Sequence, residues 1–592
     1  MFYTDAIYLI LALVLFSGWP VEESPSLKGL LGPFLLKELV FVGVVFLKLR
    51  LSREPRDFLR AQAVLKFLAF LAFAVDVIGL SWPGLFEGKP AFLRDLFGLL
   101  LFLHYFLIIW LFSALYESRG PLASLSPPSY VWSNLKLLFP FLLPWAAVNL
   151  VFSLLDRFLP WSGFKKELLY LAVFLVTLLF FMAPLAVRIW DCRPLPESNL
   201  RRIILAYLRR EGGRLREIYL WETFGGRLLT AGVIGVLPGL RYLLISKGLL
   251  AALEEMEILS VVAHETGHLK HRHMLWLLIF FVLFSLLVYL AFYPAFLLFL
   301  AYFPFPELLG GLGKKLFLPE AIFTLGLILA VLVYFRLLLG FFLRNFERQA
   351  DLYCLESLGT AEGLIRSLKK IALLSGHTED LPSWHHFSIK ERIEFLRRAQ
   401  ENPELIPKHH FKVKCWLSLY VSVSLALSLI FWQLPVEKIE KRAKLNLLYG
   451  GLMNEYRSLP SAKLEEMLGT VAYELGREGE ALKWYERALK KEKTPELMNN
   501  LAWLLLTAKD KELRDYRRGL ELALRATAQK PTAFHLDTLA EAFFRNGDRK
   551  KACLYATWAL EEARKSPKAD LDYYRRQKER FCHAAEPSPA LP

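Results

Sequence analysis

Residues 255–273 read EMEILSVVAHETGHLKHRH, and this stretch is predicted to form a helix that carries candidate metal ligands. Apolar residues precede two histidines, His264 and His268, which are four positions apart and therefore lie on one face of a helix. Two imidazoles with that spacing can hold one Zn²⁺, and Glu265 projects beside the metal, where it can act as general base for water. Burying a polar side chain without a partner costs free energy. Two histidines and a glutamate at the end of an apolar helix therefore indicate that these side chains have a partner. The stretch therefore predicts one zinc ion per chain and a hydrolytic site.

A catalytic zinc needs a third protein ligand and an open position for water. Glu347 lies in LRNFERQADLYCLESLG, whose pattern predicts a helix, and Asp351 follows one turn later on the same face. We predict that Glu347 is the third ligand and that Asp351 orients a ligand histidine through its other ring nitrogen. The alternative is that both acids form the solvated start of a charged helix. His271 and His273 are predicted to be a basic, interfacial helix end and not ligands.

Apolar runs recur along the 592 residues, and most are long enough to cross a bilayer as helices. Nine spans are predicted, at about 2–19, 29–47, 64–82, 96–115, 135–155, 167–187, 274–304, 320–343 and 415–434. The arginines of the 48–63 loop place that loop and the N-terminus in the cytoplasm by the positive-inside rule. The net charge of +16 is attributed to residues that flank the spans. No basic strip with interleaved aromatics indicates nucleic-acid binding.

Between the sixth predicted span and the histidine motif, the sequence no longer consists of long apolar runs. DCRPLPESNL, from residue 191, is predicted to be a linker, and NLRRIILAYLRREGG is predicted to be a helix that ends at Gly212. REIYLWET and LRYLLIS are rich in aromatic and branched residues, which predicts two strands. The segment that follows, 247–273, is predicted to be one continuous helix. Strands among helices indicate an α+β domain.

The C-terminal region is predicted to be soluble, helical and repetitive. Gly476, Ala481, Tyr485 and Ala488 recur as Gly547, Ala552, Ala556 and Ala559 with identical spacing, and a middle copy fits Gly519, Ala523 and Ala526. Small residues at these positions let paired helices pack closely, and units of about 34 residues resemble tetratricopeptide repeats. The last residues, AAEPSPALP, have the composition of a disordered end.

Four stretches of this sequence resemble one family. They are VVAHETGH with the following HRH, RNFERQAD at 344–351, PGLRYLLISKGLL at 238–250 and HFSIKERI at 386–393. Together they resemble the membrane zinc metallopeptidases that include the HtpX heat-shock protease and the CAAX prenyl endopeptidase, over about 191–400. The sequence departs from that family at Thr230-Ala231, where Asn-Ala is frequent, and at Phe387, where proline is common.

The resemblance implies roles for individual residues. It makes His264, His268 and Glu347 the zinc ligands and Glu265 the catalytic base, with Asp351 behind the ligands. His386 and Arg392 become candidates near the cleft, for holding substrate or the oxyanion. The fold class expected is a membrane α-helical bundle plus an α+β gluzincin-like catalytic domain, followed by an all-α tetratricopeptide-type solenoid.

The predicted domain organisation has five parts. They are a multi-span membrane domain (1–190), a zinc peptidase domain (191–412) with inserted spans at 274–304 and 320–343, a transmembrane helix (413–435), helical repeats (436–570) and a tail (571–592).

We predict a membrane-bound zinc metalloendopeptidase that acts on membrane-associated or misfolded proteins. Its expected partners are protein or peptide substrates, the lipid bilayer and a protein partner at the repeats, with no nucleic acid. The expected location is a bacterial-type cell membrane with the catalytic domain in the cytoplasm and the repeats outside, where Cys553 and Cys582 could pair. The alternative is a non-catalytic membrane scaffold that binds partners through its repeats.

Overall fold

The protein is described here by a computed structural model that covers residues 2–20, 25–52, 54–116, 125–156, 164–226, 228–302, 318–376, 379–380, 384–566 and 569–583. It divides into two compact units. The first contains Met1–Ala291 and Phe317–Trp432, and the second contains Phe292–Leu316 and Gln433–Pro592. The terminal segment AAEPSPALP, predicted to be disordered, lies outside the described residues.

The first unit begins with a bundle of apolar helices. They are α1 (Phe2–Gly18), α2 (Leu27–Leu51), α3 (Pro55–Ala74), α4 (Ala91–Tyr116), α5 (Pro127–Leu155), α6 (Phe164–Thr177) and α7 (Ala183–Ile189). Along the described chain, eight helices are long and apolar enough to cross a membrane, and Thr4–Gly18 is a shorter apolar helix. The shorter helix corresponds to the first predicted span, so the protein is an integral membrane protein with about eight full-length spans.

Charged side chains meet inside this bundle despite its apolar composition. Lys37 on α2 contacts Asp76 and Tyr105, and the Tyr105 hydroxyl donates to Asp76 Oδ2 at 2.5 Å. Glu38 lies 2.9 Å from Lys37 and 3.3 Å from the His104 ring. Because a charge in an apolar bundle is costly unless it is paired, these contacts fix how α2 and α4 sit against the end of α3.

A four-stranded sheet follows the bundle. Its strands are β1 (Cys192–Pro194), β2 (Glu217–Trp221), β3 (Ala231–Ile234) and β4 (Tyr242–Ser246), in the order β1-β2-β4-β3. The strands predicted from REIYLWET and LRYLLIS are confirmed as β2 and β4. The predicted linker after Asp191 is wrong in part, because it supplies β1, which pairs antiparallel with β2. β4 is parallel to β2, buried along its length, and antiparallel to β3, which forms one edge.

Helices pack around this sheet and lead back into the membrane. They are α8 (Asn199–Arg210), α9 (Lys247–Ala252), α10 (Glu255–Lys270), α11 (His273–Leu287), α13 (Leu318–Val333), α14 (Gly340–Leu358), α15 (Glu362–Leu374), α16 (Ile389–Glu401) and α17 (Leu405–Trp432). The continuous helix predicted for 247–273 is broken between α9 and α10. Glu254 caps α10 there, in a reciprocal capping box with Glu257.

The approach of α10 to α14 depends on a glycine. A Cβ on Gly267 would lie 2.8 Å from Ala350 Cα and 2.9 Å from Tyr353 Cβ, so the two helix backbones come closer than a side chain at this position would allow. Beneath them, Val262, Leu352 and Leu355 belong to one buried core. This packing positions the functional residues.

The second unit is helical throughout its described part. It contains α12 (Tyr293–Tyr302), α18 (Val436–Ser458), α19 (Ala462–Glu474), α20 (Glu478–Lys491), α21 (Pro495–Thr507), α22 (Tyr516–Gln529), α23 (Ala533–Arg545), α24 (Arg549–Ala563) and α25 (Leu571–His583). The repeated small residues are buried between paired helices, as at Ala481, Ala488, Ala552 and Ala559. A disulfide joins Cys553 on α24 to Cys582 on α25.

Candidate zinc site and its surroundings

Helix α10 brings His264 and His268 onto one face, as the spacing predicts. Their Nε2 atoms are 3.3 Å apart and turn toward the same point. His264 is buried, and the apolar turn before it, including Val262 and Ala263, packs in the core. The rings therefore stand on a rigid support.

Glu347 on α14 completes a three-ligand cluster. Its carboxylate oxygens lie 3.7 Å from His264 Nε2 and 3.6 Å from His268 Nε2. One ligand atom from each of the three residues falls within 4.8 Å of the other two. Ligands on a tetrahedral zinc with bonds of about 2.0–2.1 Å stand about 3.3–3.4 Å apart. The donor set of two imidazoles and one carboxylate, at nearly that spacing, fits a zinc ion.

Asp351 lies directly behind the first ligand. Its Oδ1 is 2.9 Å from His264 Nδ1, and Arg392 from α16 donates to both Asp351 oxygens at 2.9 and 2.7 Å. The Arg392 guanidinium compensates the buried negative charge of Asp351, because a buried carboxylate is stable only when it is paired. A charged Asp351 holds the His264 proton on Nδ1 and leaves Nε2 free to bind metal.

Glu265 is fixed between α10 and the edge of the sheet. Its Oε2 accepts a hydrogen bond of 3.1 Å from the backbone N–H of Val233 in β3. Burial raises the pKa of Glu265 to about 7. The sequence gives no sign of the Val233 contact, because β3 lies in a Gly-rich stretch that does not have a strand pattern.

His386 is a partly exposed neighbour of Glu347. Its Nδ1 is 3.2 Å from Glu347 Oε2, and its side chain is 38 % exposed. His268 and Arg392 also approach the Glu347 carboxylate, at 3.6 and 3.7 Å. All seven residues singled out from the sequence therefore meet in one region. Arg392, however, faces Asp351 at its two short contacts and approaches Glu347 only at 3.7 Å.

The prediction for the histidines that follow the motif is wrong for His273. This residue is 3 % exposed, stacks on Phe346 at 4.2 Å between ring centroids, and places its Nδ1 2.9 Å from His268 Nδ1. It begins α11 after Arg272, whose positive φ of 55° turns the chain back toward α14. A basic interfacial position would leave the ring in solvent, whereas this turn buries it behind a zinc ligand.

Phe387 has a role in the structure that explains its departure from the family pattern. The Arg348 guanidinium carbon lies 3.6 Å from the Phe387 ring centroid and 4.7 Å from that of Phe395. Arg344 donates to the Trp384 carbonyl at 2.5 Å. These contacts attach the segment before α16 to α14, so the chain near His386 is anchored without a proline.

Comparison with known proteins identifies a family whose sequence pattern this chain matches in part. Residues 194–400 match the family model described as Peptidase family M48. The structure is similar to one titled "Crystal Structure of S. mikatae Ste24p", with 15 % sequence identity, a TM-score of 0.30, and coverage of 66 % of this chain and 98 % of that chain. No curated protein matches the chain. The match over the ligand-bearing segments makes this chain a membrane zinc metallopeptidase that carries a peptidase family M48 domain, with His264, His268 and Glu347 as its zinc site.

Proposed function

We propose that this metallopeptidase is an endopeptidase in which Glu265 is the general base, and that it cleaves membrane-associated or misfolded proteins. The observation that carries the proposal is the hydrogen bond from Val233 in β3 to Glu265. It places the base beside the edge of a sheet. Peptides bind such edges in extended form by adding a strand.

The pairing of β3 with β4 supports this view of the edge. The Ser246 N–H donates to the Thr230 carbonyl, so the polar groups of Thr230 face β4. Backbone groups alternate along an antiparallel strand, and those of Ala231 and Val233 therefore point away from β4. The Val233 N–H donates to Glu265, whereas the Ala231 N–H and the Val233 carbonyl point to the same edge. Any extended stretch of a substrate could pair there without offering a chain end, which is the requirement for internal cleavage.

Each residue of the cluster then has a defined task. Zinc, when bound, would polarise the scissile carbonyl and lower the pKa of the attacking water to about 7. Glu265 takes a proton from that water and passes it to the leaving amine. We assign to His386 the donation of a hydrogen bond to the substrate carbonyl, because its partly exposed ring lies beside Glu347. Arg392 is occupied by Asp351 and acts as a positioning residue for the ligands.

The experiment is hydrolysis of an unfolded protein with blocked termini by the detergent-purified, zinc-loaded chain, beside Glu265→Gln. We expect internal cleavage by the parent, abolished by the substitution and by a chelator, with equal zinc content in both proteins. If both hold one zinc and neither cleaves, the endopeptidase proposal fails. If fragments arise only from substrates with free termini, the enzyme is an exopeptidase.

We also propose that the zinc site faces the cytoplasm and the C-terminal helices lie outside. The span in α17, Leu405–Trp432, separates the two regions, and one crossing changes the side of the membrane. The arginine-rich 48–63 loop and the Cys553–Cys582 disulfide favour this orientation, since disulfides persist in oxidising compartments. Alkaline phosphatase fused to the C-terminus should be active in a bacterial host; an inactive fusion contradicts this orientation.

We infer in addition that α19–α24 form three tetratricopeptide-type hairpins that receive a protein partner. Buried Ala481, Ala523 and Ala552, in the second helix of successive pairs, support the inference. A groove beside Tyr555 and Trp558 offers an apolar surface, and Trp558 is 45 % exposed. A photo-crosslinker at position 558 of the Glu265→Gln protein should capture polypeptide; capture at the opposite face alone would reject this surface.

A further inference from the structure

A row of polar side chains runs outward from the second zinc ligand. His268 Nδ1 lies 2.9 Å from His273 Nδ1, and His273 Nε2 lies 3.2 Å from Gln349 Oε1. The Gln349 amide nitrogen is 3.1 Å from His410 Nδ1. His410 Nε2 lies 3.5 Å from Glu356 at the end of the row. We call His273, Gln349, His410 and Glu356 the His268 row.

Only one placement of protons on the ring nitrogens leaves His268 Nε2 free for zinc and also forms the hydrogen bonds of this row. His268 must present a bare Nε2 to zinc, so its proton is on Nδ1 and is donated to His273 Nδ1. His273 then carries its proton on Nε2 and donates to the Gln349 carbonyl oxygen. The Gln349 amide donates in turn to His410, whose remaining N–H faces the Glu356 carboxylate. Each donor from His268 to Gln349 meets an acceptor, and the direction begins at the metal ligand.

The two ligand histidines are thus supported differently. His264 Nδ1 lies 2.9 Å from a carboxylate oxygen of Asp351, whereas His268 Nδ1 lies 2.9 Å from a ring nitrogen of His273. His273 is itself held by stacking on Phe346 and by Gln349, which is 4 % exposed. A buried acceptor that is fixed on two sides can set the ring angle of its donor.

We propose that His273, held by Gln349 and His410, is a positioning residue that fixes the tautomer and orientation of the zinc ligand His268. The proposal rests on the zinc site and requires no particular substrate. The hydrogen bond from His268 to His273 fixes the tautomer and the ring angle of His268. The stacking of His273 on Phe346 only holds the accepting ring in position. Loss of the acceptor leaves the His268 ring free to rotate or to carry its proton on Nε2, where it blocks the metal.

Two substitutions at one position separate the hydrogen bond from the packing. His273→Phe keeps an aromatic ring on Phe346 but removes the acceptor. His273→Asn removes the ring but can place its carbonyl oxygen where Nδ1 stood. The zinc dissociation constant is measured by chelator competition on the full chain in detergent, with thermal unfolding of the zinc-free proteins as a fold control. We expect His273→Phe to weaken zinc binding about 10- to 100-fold, and His273→Asn to recover most of that loss.

A third variant tests the row beyond His273. Gln349→Met removes both of its hydrogen bonds at similar volume, and we expect a smaller loss of zinc affinity than for His273→Phe. Cobalt(II) absorption spectra should change in intensity for His273→Phe but not for His273→Asn. Parent-like affinity for His273→Phe, or equal weakening by Phe and Asn, overturns the proposal. Because the readout is metal binding, a failure of peptide hydrolysis in the parent would leave this test intact.

Discussion

Substitution of Gly267 by alanine should weaken the zinc site without contacting zinc. Gly267 lies between the two ligand-bearing helices, α10 and α14. An added Cβ would lie 2.8 Å from Ala350 Cα and 3.1 Å from the Ala350 carbonyl oxygen, both backbone atoms that cannot rotate away. The clash can be relieved only by moving one helix away from the other.

The size of that movement follows from the distances. An ordinary contact begins near 3.4 Å, so the helices must separate by at least 0.6 Å at this point. Metal sites tolerate ligand displacements of about 0.2 Å, and Glu347 would move away from both histidines by more than that. Overpacking of this kind costs about 1–3 kcal/mol. If the cost falls on metal binding, zinc affinity drops about 5- to 150-fold.

The assay is the zinc dissociation constant, with kcat/KM on an unfolded substrate as a second readout. Gly451→Ala, on an exposed face of α18 with no atom within 4 Å of the new Cβ, is the matched control. The control should bind zinc like the parent and gain up to about 1 kcal/mol in the free energy of unfolding, because alanine favours helix. Parent-like zinc affinity in Gly267→Ala would refute the view that this close approach sets the ligand geometry.

Three further predictions concern stability. Lys37→Met leaves Asp76 buried without its cation and should cost about 3–5 kcal/mol, most of it recovered when Asp76→Asn is added, as measured by unfolding in detergent. In the C-terminal helices, burial raises the pKa of Asp537 to about 6 from its ordinary 3.8. The folded state therefore binds more protons than the unfolded state between these values, and stability should fall by roughly 2 kcal/mol from pH 4 to pH 6. Asp537→Asn should flatten that dependence, and an unchanged pH profile would contradict it. Cys553→Ser with Cys582→Ser, which opens a link across 29 residues, should lower the free energy of unfolding by about 3–4 kcal/mol, and a reductant should then have no further effect on the melting temperature.

Much of the zinc site could be predicted from the sequence because its first part is local. His264, Glu265 and His268 share one helical turn, and the geometry of that turn is the same in every helix. Glu347 and Asp351 could be paired with them because their own spacing indicated a second helix face. The strands β2 and β4 were visible because aromatic and branched residues cluster in them. Span positions followed from length and composition alone.

Contacts between distant parts of the chain could not be predicted from local sequence patterns. The N–H of Val233 meets Glu265 from a strand with no clear pattern, and His273 is turned inward by one residue, Arg272, with a left-handed backbone. Lys37 and Asp76 form an ion pair between helices whose sequences resemble ordinary membrane spans.

Residue types and their local spacing were enough to identify the residues that can bind zinc, the one that can transfer a proton, and the segments long enough to cross the membrane. These properties depend on residue type and on spacing within one helix. The distance of Glu347 from the two histidines, the partner that orients each imidazole and the position of the sheet edge became visible only in the folded chain. Those distances depend on the packing of α10 against α14 at Gly267, and packing is a property of surfaces from residues about 80 positions apart in the chain, which no local pattern records.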